Sequence, residues 1–169
     1  AGVQIEEIKV CLSSVPICSF SSFGVAKIKK NNEVQADDIA AAFDVAKAVA
    51  LPPEQEILHA IPREFRVDDQ GGITDPSKMK GVRLEVDVQL ITVASSLILN
   101  ILKAVNPLSL KVSCFIHSSL ASSMTLLSEE EKNLGKVIVD VGGVTTEVSF
   151  WHQGSLRHLS VLTIGGQHF

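Results

Sequence analysis

From Lys136 onward the chain is cut by glycine into short apolar segments, which favours closely connected strands over helices. Lys136-Val137-Ile138-Val139-Asp140-Val141 reads as a buried strand, and Gly142-Gly143 turns it. Val144, Thr146, Val148 and Phe150 then alternate with Thr145, Glu147 and Ser149, the period of a second strand. Gln153-Gly154 makes the next corner, and Leu156 to Ile164 forms a third strand that ends in Gly165-Gly166. This pattern predicts a β-meander with a diglycine at its first corner.

Upstream, the punctuation changes and strands mix with helices. Ile8 to Leu12 is a strand candidate, followed by a serine-rich turn around Pro16 and a second strand over Phe23 to Lys29. Ile39, Phe43, Ala46 and Val49 fall on one face of a helix over Asp37 to Ala50, which Pro52-Pro53 ends. Glu56 to Asp68 is extended, and Gln70-Gly71-Gly72 and Asp75-Pro76 mark loops. Arg83 to Val93 alternates as a half-buried strand. Ser95 or Ser96 caps a helix with the apolar face Leu97, Ile98, Ile101, Leu102 and Val105. A strand over Leu110 to Phe115, a helix over His117 to Leu127 and a solvated charged turn, Ser128 to Lys132, lead into the meander.

At 169 residues and 46% hydrophobic content the chain has enough apolar surface for one domain or two small ones, and too much for disorder. Fifteen basic residues against nineteen acidic ones give a net charge of −4, which disfavours nucleic acid as a partner. The opening AGVQIEEIKV lacks the basic start of a signal peptide, and the missing initiator Met suggests a piece of a longer protein. The most apolar stretch, Val86 to Val105, is broken by Asp87, Gln89, Asn100 and Lys103 and is no membrane span. Cys11, Cys18 and Cys114 have no CxxC spacing and read as reduced thiols in or near the core.

The segment with chemistry in it is Asp140-Val141-Gly142-Gly143-Val144-Thr145-Thr146-Glu147. Glycines let backbone N–H groups approach an anion, threonine hydroxyls donate to phosphate oxygens, and a strand-end aspartate can hold hydrated Mg²⁺ beside them. A plain hairpin turn is the competing reading on spacing alone.

The whole chain resembles the middle of the FtsA family, bacterial cell-division proteins related to the actin-like ATPases. The runs that carry the resemblance are collinear: Leu58-His59-Ala60-Ile61-Pro62-Arg63-Glu64-Phe65, Gly72-Ile73-Thr74-Asp75-Pro76, Met79-Lys80-Gly81-Val82-Arg83-Leu84-Glu85, Asn100-Ile101-Leu102-Lys103, the Asp140 segment and Ile164-Gly165-Gly166. The resemblance implies a mixed fold, α+β and α/β, made of partial actin-like (ribonuclease H-like) lobes with an inserted SHS2 subdomain, also called 1C. Residues 1–84 would be the SHS2 subdomain, 85–132 part of subdomain 1A and 133–169 the start of subdomain 2A. It further implies an ATP site in which Asp140, Gly142, Gly143, Thr145 and Thr146 face the β- and γ-phosphates, with Mg²⁺ held through water by Asp140.

In the full-length family member the resemblance implies an adaptor that assembles the divisome and tethers FtsZ. Its place would be cytoplasmic, at the inner face of the cell membrane. It would bind FtsZ and other divisome proteins, and self-associate through 1C. The present chain lacks the first phosphate clamp, the adenosine segment, subdomain 2B and the membrane-binding amphipathic helix of that family. Catalysis by this chain alone is therefore not expected. A pilus-assembly relative with an SHS2 insertion, or an interaction module without nucleotide, are the alternatives.

Three departures stand out. Val144 occupies the usual third glycine, where a β-branched residue needing φ > 0 would cost on the order of 1–2 kcal/mol. Glu147 replaces the usual aspartate, and Ser13-Ser14-Val15-Pro16-Ile17 replaces the family's early Ser-Gly-x-His-Ile. Elsewhere, His117 reads as an exposed neighbour of a helix cap, beside Ser118 where actin-like proteins orient water. His59 reads as a hydrogen-bonded structural histidine, and Arg63, Glu64 and Arg66 as a solvated strand face.

Overall fold

The computed structural model describes residues 5–13 and 17–168. The opening residues 1–4 and the turn expected around Pro16 lie outside them.

The central element is β5 (Arg83–Ala94), whose alternating apolar residues Leu84, Val86, Val88 and Leu90 are completely buried on one face. It pairs antiparallel with β2 (Ile17–Lys27) on one side and β3 (Gln55–Val67) on the other, and β4 (Gln70–Ile73) adds to β3, giving the order β2-β5-β3-β4. Helix α1 (Ala36–Lys47) covers the apolar face. The centre of its buried stripe is Ala42 and Ala46, with Ile39, Phe43 and Val49 flanking, so the expected face is rotated toward its small residues. Gly24 on β2 is the reason: a Cβ there would collide with the Ala42 carbonyl and lie 2.7 Å from the Ala46 nitrogen. Helix and strand meet backbone to backbone.

Beyond Val88 the strand is no longer half-buried. Gln89, Ile91, Thr92 and Val93 are all buried, because a second layer covers the other face. That layer begins with β1 (Glu7–Leu12), which runs parallel to β6 (Lys111–His117) and does not join the four-stranded sheet. Helix α2 (Ser95–Val105) packs Ile98 against Leu12 and Val93. Its N-cap is Ala94, without a side-chain cap, so neither Ser95 nor Ser96 serves as expected. Helix α3 (Ser118–Leu126) follows β6 directly. The sheet pairing thus groups β2 to β5 as one unit ending at Ala94, and places β1 with β6, where a division at residues 84 and 85 was expected.

Two stretches read as irregular are regular. Gln70-Gly71-Gly72 belongs to β4, paired to β3 through Phe65–Ile73 and Val67–Gln70 and anchored by the buried Ile73. Ser128 to Lys132 opens a short helix, α4 (Glu129–Leu134), through a capping box in which Ser128 and Glu131 each accept the other's backbone N–H. Lys132 is buried, its ammonium 5.6 Å from the Trp151 ring centre.

The meander forms as predicted, with β7 (Lys136–Val141), β8 (Thr146–His152) and β9 (Ser155–Leu162) in sequential antiparallel order. The alternation left its phase open, and the fold decides it. The polar set Glu147 and Ser149, with Trp151, faces inward and is buried, while Phe150 faces out. The strand expected to be buried, β7, exposes Val137, Val139 and Val141 at 56–60%. The inner face meets Ile91 and Leu120 through Trp151, Leu156 and Leu159. The three cysteines are free and exposed, where near-core thiols were expected.

Candidate functional site

Cross-strand pairing places Asp140 directly opposite Glu147, both on the inner face of the meander. There they meet the end of β1 and the start of α3. Together Ser13, Ser118, Asp140, Gly142, Thr145 and Glu147 line a cleft of about 120 Å³. Of the five residues expected to contact phosphate, the structure brings Asp140, Gly142 and Thr145 to this cleft. Thr146 is the first residue of β8, and its hydroxyl donates to the Ile164 carbonyl at 2.6 Å. Gly143 sits at the corner, against Gln167.

The corner is held by backbone. Gly142 N–H donates to the Thr145 carbonyl at 2.9 Å, while Gly142 and Gly143 carbonyls accept from Gly166 and Gln167 at 2.8 Å each. Gly165 lies so close that a Cβ would sit 2.6 Å from the Gly142 oxygen and 2.7 Å from the Gly143 carbonyl carbon. Val144 has no left-handed backbone, so the strain expected for a β-branched residue at that position does not arise. The glycines serve close approach rather than positive φ.

Glu147 organises the floor of the cleft. It is 3% exposed, and accepts hydroxyl donors from Ser13 at 2.5 Å, Ser118 at 2.6 Å and Ser119 at 2.5 Å. Burial opposes ionisation of Glu147, but these hydroxyls, with a smaller contribution from His117, outweigh it and hold the carboxyl below the usual glutamate range. The carboxylate thereby ties three elements (the end of β1, the start of α3 and β8) around one charge. The polar chain continues inward: Trp151 Nε1 donates to Ser123 Oγ at 2.9 Å, and Ser123 Oγ donates to the Ser119 carbonyl.

His117 is not the exposed cap neighbour that was expected. It is itself the N-cap of α3 and completely buried, its Nδ1 accepting from Ser119 N–H at 3.2 Å and lying 3.7 Å from Glu147 Oε2. Its own backbone N–H donates to His59 Nε2 at 3.1 Å. Burial lowers the pKa of both rings; Glu147 partly counters this at His117, while His117 adds to it at His59. Arg63, expected on a solvated face, is partly buried, with its guanidinium on Ser21 and 3.5 Å from Asp87. Sequence reasoning missed Glu147 as a site residue, although its place opposite Asp140 across a two-glycine corner was countable.

The cleft suits phosphate groups. Thr145 presents a hydroxyl, Gly142 opens the backbone, and Asp140 offers an exposed carboxylate at the rim, while the Ser13 and Ser118 hydroxyls rest on Glu147. Its volume matches the end of a phosphate chain, well below that of a drug-sized ligand pocket. Among the described residues no three His, Cys, Asp or Glu side chains converge as a metal cage. No helix among them is long and apolar enough to cross a membrane.

The fold is mixed α/β. Residues 16–92 match the family model "SHS2 domain inserted in FTSA". A solved PilM-PilN type IV pilus biogenesis complex superposes with a TM-score of 0.60 over 96% of this chain and 44% of its own, at 13% identity, a likeness of fold alone. The chain is FtsA-like in sequence. It is 38% identical over 98% of its length to cell division protein FtsA of Neisseria meningitidis and, likewise, of Pseudomonas aeruginosa. It is 37% identical to that of Escherichia coli. The chain spans about 40% of the length of these relatives.

Proposed function

We propose that this chain is part of an FtsA-like cell-division adaptor whose cleft contributes one wall of a Mg-ATP site. The observation that carries the reading is the convergence of Asp140, Gly142 and Thr145 with Ser13 and Ser118 in a chain that is FtsA-like along 98% of its length. In this reading Gly142 and Thr145 line the β- and γ-phosphates, with Gly143 backing the corner, and Asp140 holds Mg²⁺ through water. Thr146 acts indirectly, by fixing the corner to Ile164. When bound, the nucleotide supplies a polyphosphate whose charge draws the two lobes together.

The likeness to FtsA supports the adaptor role. The SHS2 unit would dock on divisome proteins and on neighbouring copies, with FtsZ tethered by the complete protein at the inner face of the membrane. The likeness to FtsA at 37–38% identity favours this over the pilus-assembly reading, whose support is a 13% identical fold.

Calorimetric titration of the full-length protein with Mg-ATP, against Asp140→Ala, tests the site. Loss of binding of tenfold or more in the variant is expected, and equal binding by both would refute it. Sedimentation with and without purified divisome proteins tests the adaptor role, which a strictly monomeric, partner-free protein would exclude.

A further inference from the structure

Through its ring and its backbone, His117 joins Glu147 in the cleft to His59 on β3, and the ring has two ways to place its proton. Glu147 lines the cleft. His117, at the end of β6, turns Nδ1 toward it at 3.7 Å. The backbone of His117 reaches His59 on β3, inside the matched span 16–92.

His117 Nδ1 accepts from the Ser119 N–H, so the ring proton is on Nε2. Nε2 is buried and has no hydrogen-bond partner among the described residues. A buried donor left unpaired carries a penalty; moving the proton to Nδ1 would exchange it for an unpaired acceptor at Nε2, so the balance is set at Nδ1. What opposes the move is the Ser119 bond, and what would reward it is Glu147 Oε2. Glu147 has no need of a further donor while Ser13, Ser118 and Ser119 all serve it.

We propose that His117 is a positioning residue and a tautomer switch, whose proton follows the number of donors left on Glu147 and so transmits the state of the cleft to His59. An anion in the cleft draws the Ser13 and Ser118 hydroxyls to itself, leaving Glu147 short of donors. As the site opens transiently, the ring gives the Nε2 proton to solvent and takes one back at Nδ1, which donates to Glu147; the ring stays neutral. The Ser119 N–H loses its acceptor, the first turn of α3 loosens, and the backbone donor that holds His59 shifts with it. The anion part of this sequence rests on the phosphate reading; the coupling between Glu147 and His59 does not.

Long-range ¹H–¹⁵N spectra of the histidine rings in the ¹⁵N-labelled chain test it. At rest, His117 should carry its proton on Nε2 and His59 on Nδ1; any other pattern overturns the proposal. The ligand-independent trigger is Ser13→Ala with Ser118→Ala, which removes two donors. It should raise the Nδ1–H to Nε2–H ratio of His117 about tenfold, the scale of one hydrogen bond to a charged group, and shift the His59 ring signals. Glu147→Gln placed on that background should restore the resting pattern, a rescue that a general loosening would not give. An unchanged His117 ratio in the double variant, or no rescue, overturns the coupling. Ser118→Ala alone repeats the test with a smaller response should the double variant lose its amide dispersion.

With Mg-ATP added to the full-length protein, shifts at the Asp140, Gly142 and Thr145 amides without a change at His117 would refute the switch and leave the phosphate site standing. No shift at those amides would refute the phosphate site, and the serine variants would then decide the switch.

Discussion

Replacing Glu147 by glutamine keeps the shape of the cleft floor and removes its charge, so the change isolates what the carboxylate contributes. Each of its serine hydroxyls makes a bond to a charged acceptor, worth ~1.5–3 kcal/mol apiece. Against this stands the burial of the ion at 3% exposure, a cost of several kcal/mol. Glutamine retains one carbonyl acceptor and neutral bonds of ~1 kcal/mol, and its amide hydrogens face hydroxyls that must reorient. The expected net loss at pH 7 is about 2–3 kcal/mol. The pH dependence follows from the direction of the shift. The folded carboxyl titrates below the unfolded one, so its stabilisation is complete above the unfolded value and lost as pH falls through the folded value. His117, lowered by burial, adds a loss of the same sign below about pH 6.5 in both proteins, so this loss largely cancels in the difference. Urea unfolding of both proteins from pH 7 to pH 3 should therefore show a gap that narrows with acid. A gap below about 0.5 kcal/mol at pH 7, or one constant across the range, would refute the reasoning.

Gly24→Ala should cost about 2–4 kcal/mol, because the methyl meets helix backbone that cannot rotate away; thermal unfolding should fall by roughly 5–15 °C, and a variant within a degree or two of the parent would show that α1 can retreat freely. Val144→Gly should leave stability unchanged or lower it by up to about 1 kcal/mol, since Val144 has no left-handed strain to relieve; a gain of that size would contradict this. Trp151→Phe should cost about 1–2 kcal/mol by removing the indole donor to Ser123 Oγ and part of the ring face beneath Lys132, read by chemical denaturation; an unchanged midpoint would show that the polar chain beneath the cleft is dispensable.

Much of the architecture was legible because it rests on pattern. The alternation of β5 and the Gly-rich corners of the meander predict their strands, and the spacing of α2 predicts its buried face. What was not legible depends on partners far away in sequence. The inward turn of Glu147 and Ser149 is decided by Ser13, Ser118, Ser119 and Ser123, and only the fold brings those to β8. Alternation gives the period and leaves the phase to whichever face finds its complement. The capping box of α4 was readable as Ser128 and Glu131, yet the charge of the segment suggested a solvated turn. His117 looked like an exposed polar residue at a helix start, and nothing local in the sequence indicates that β3 and β8 bury it.

The backbone bonds between Gly142–Gly143 and Gly165–Gln167 have a consequence for how the cleft tolerates change. The two diglycine corners are twenty-odd residues apart, yet each is the mould of the other, so neither can drift alone. A side chain admitted at position 165 would push on the Gly142 and Gly143 carbonyls before it met any side chain, and the cleft would register a substitution outside its own lining. Anyone transplanting the Asp140 segment into another scaffold has to carry residues 164–167 with it, because the grafted corner is otherwise only half of its own template.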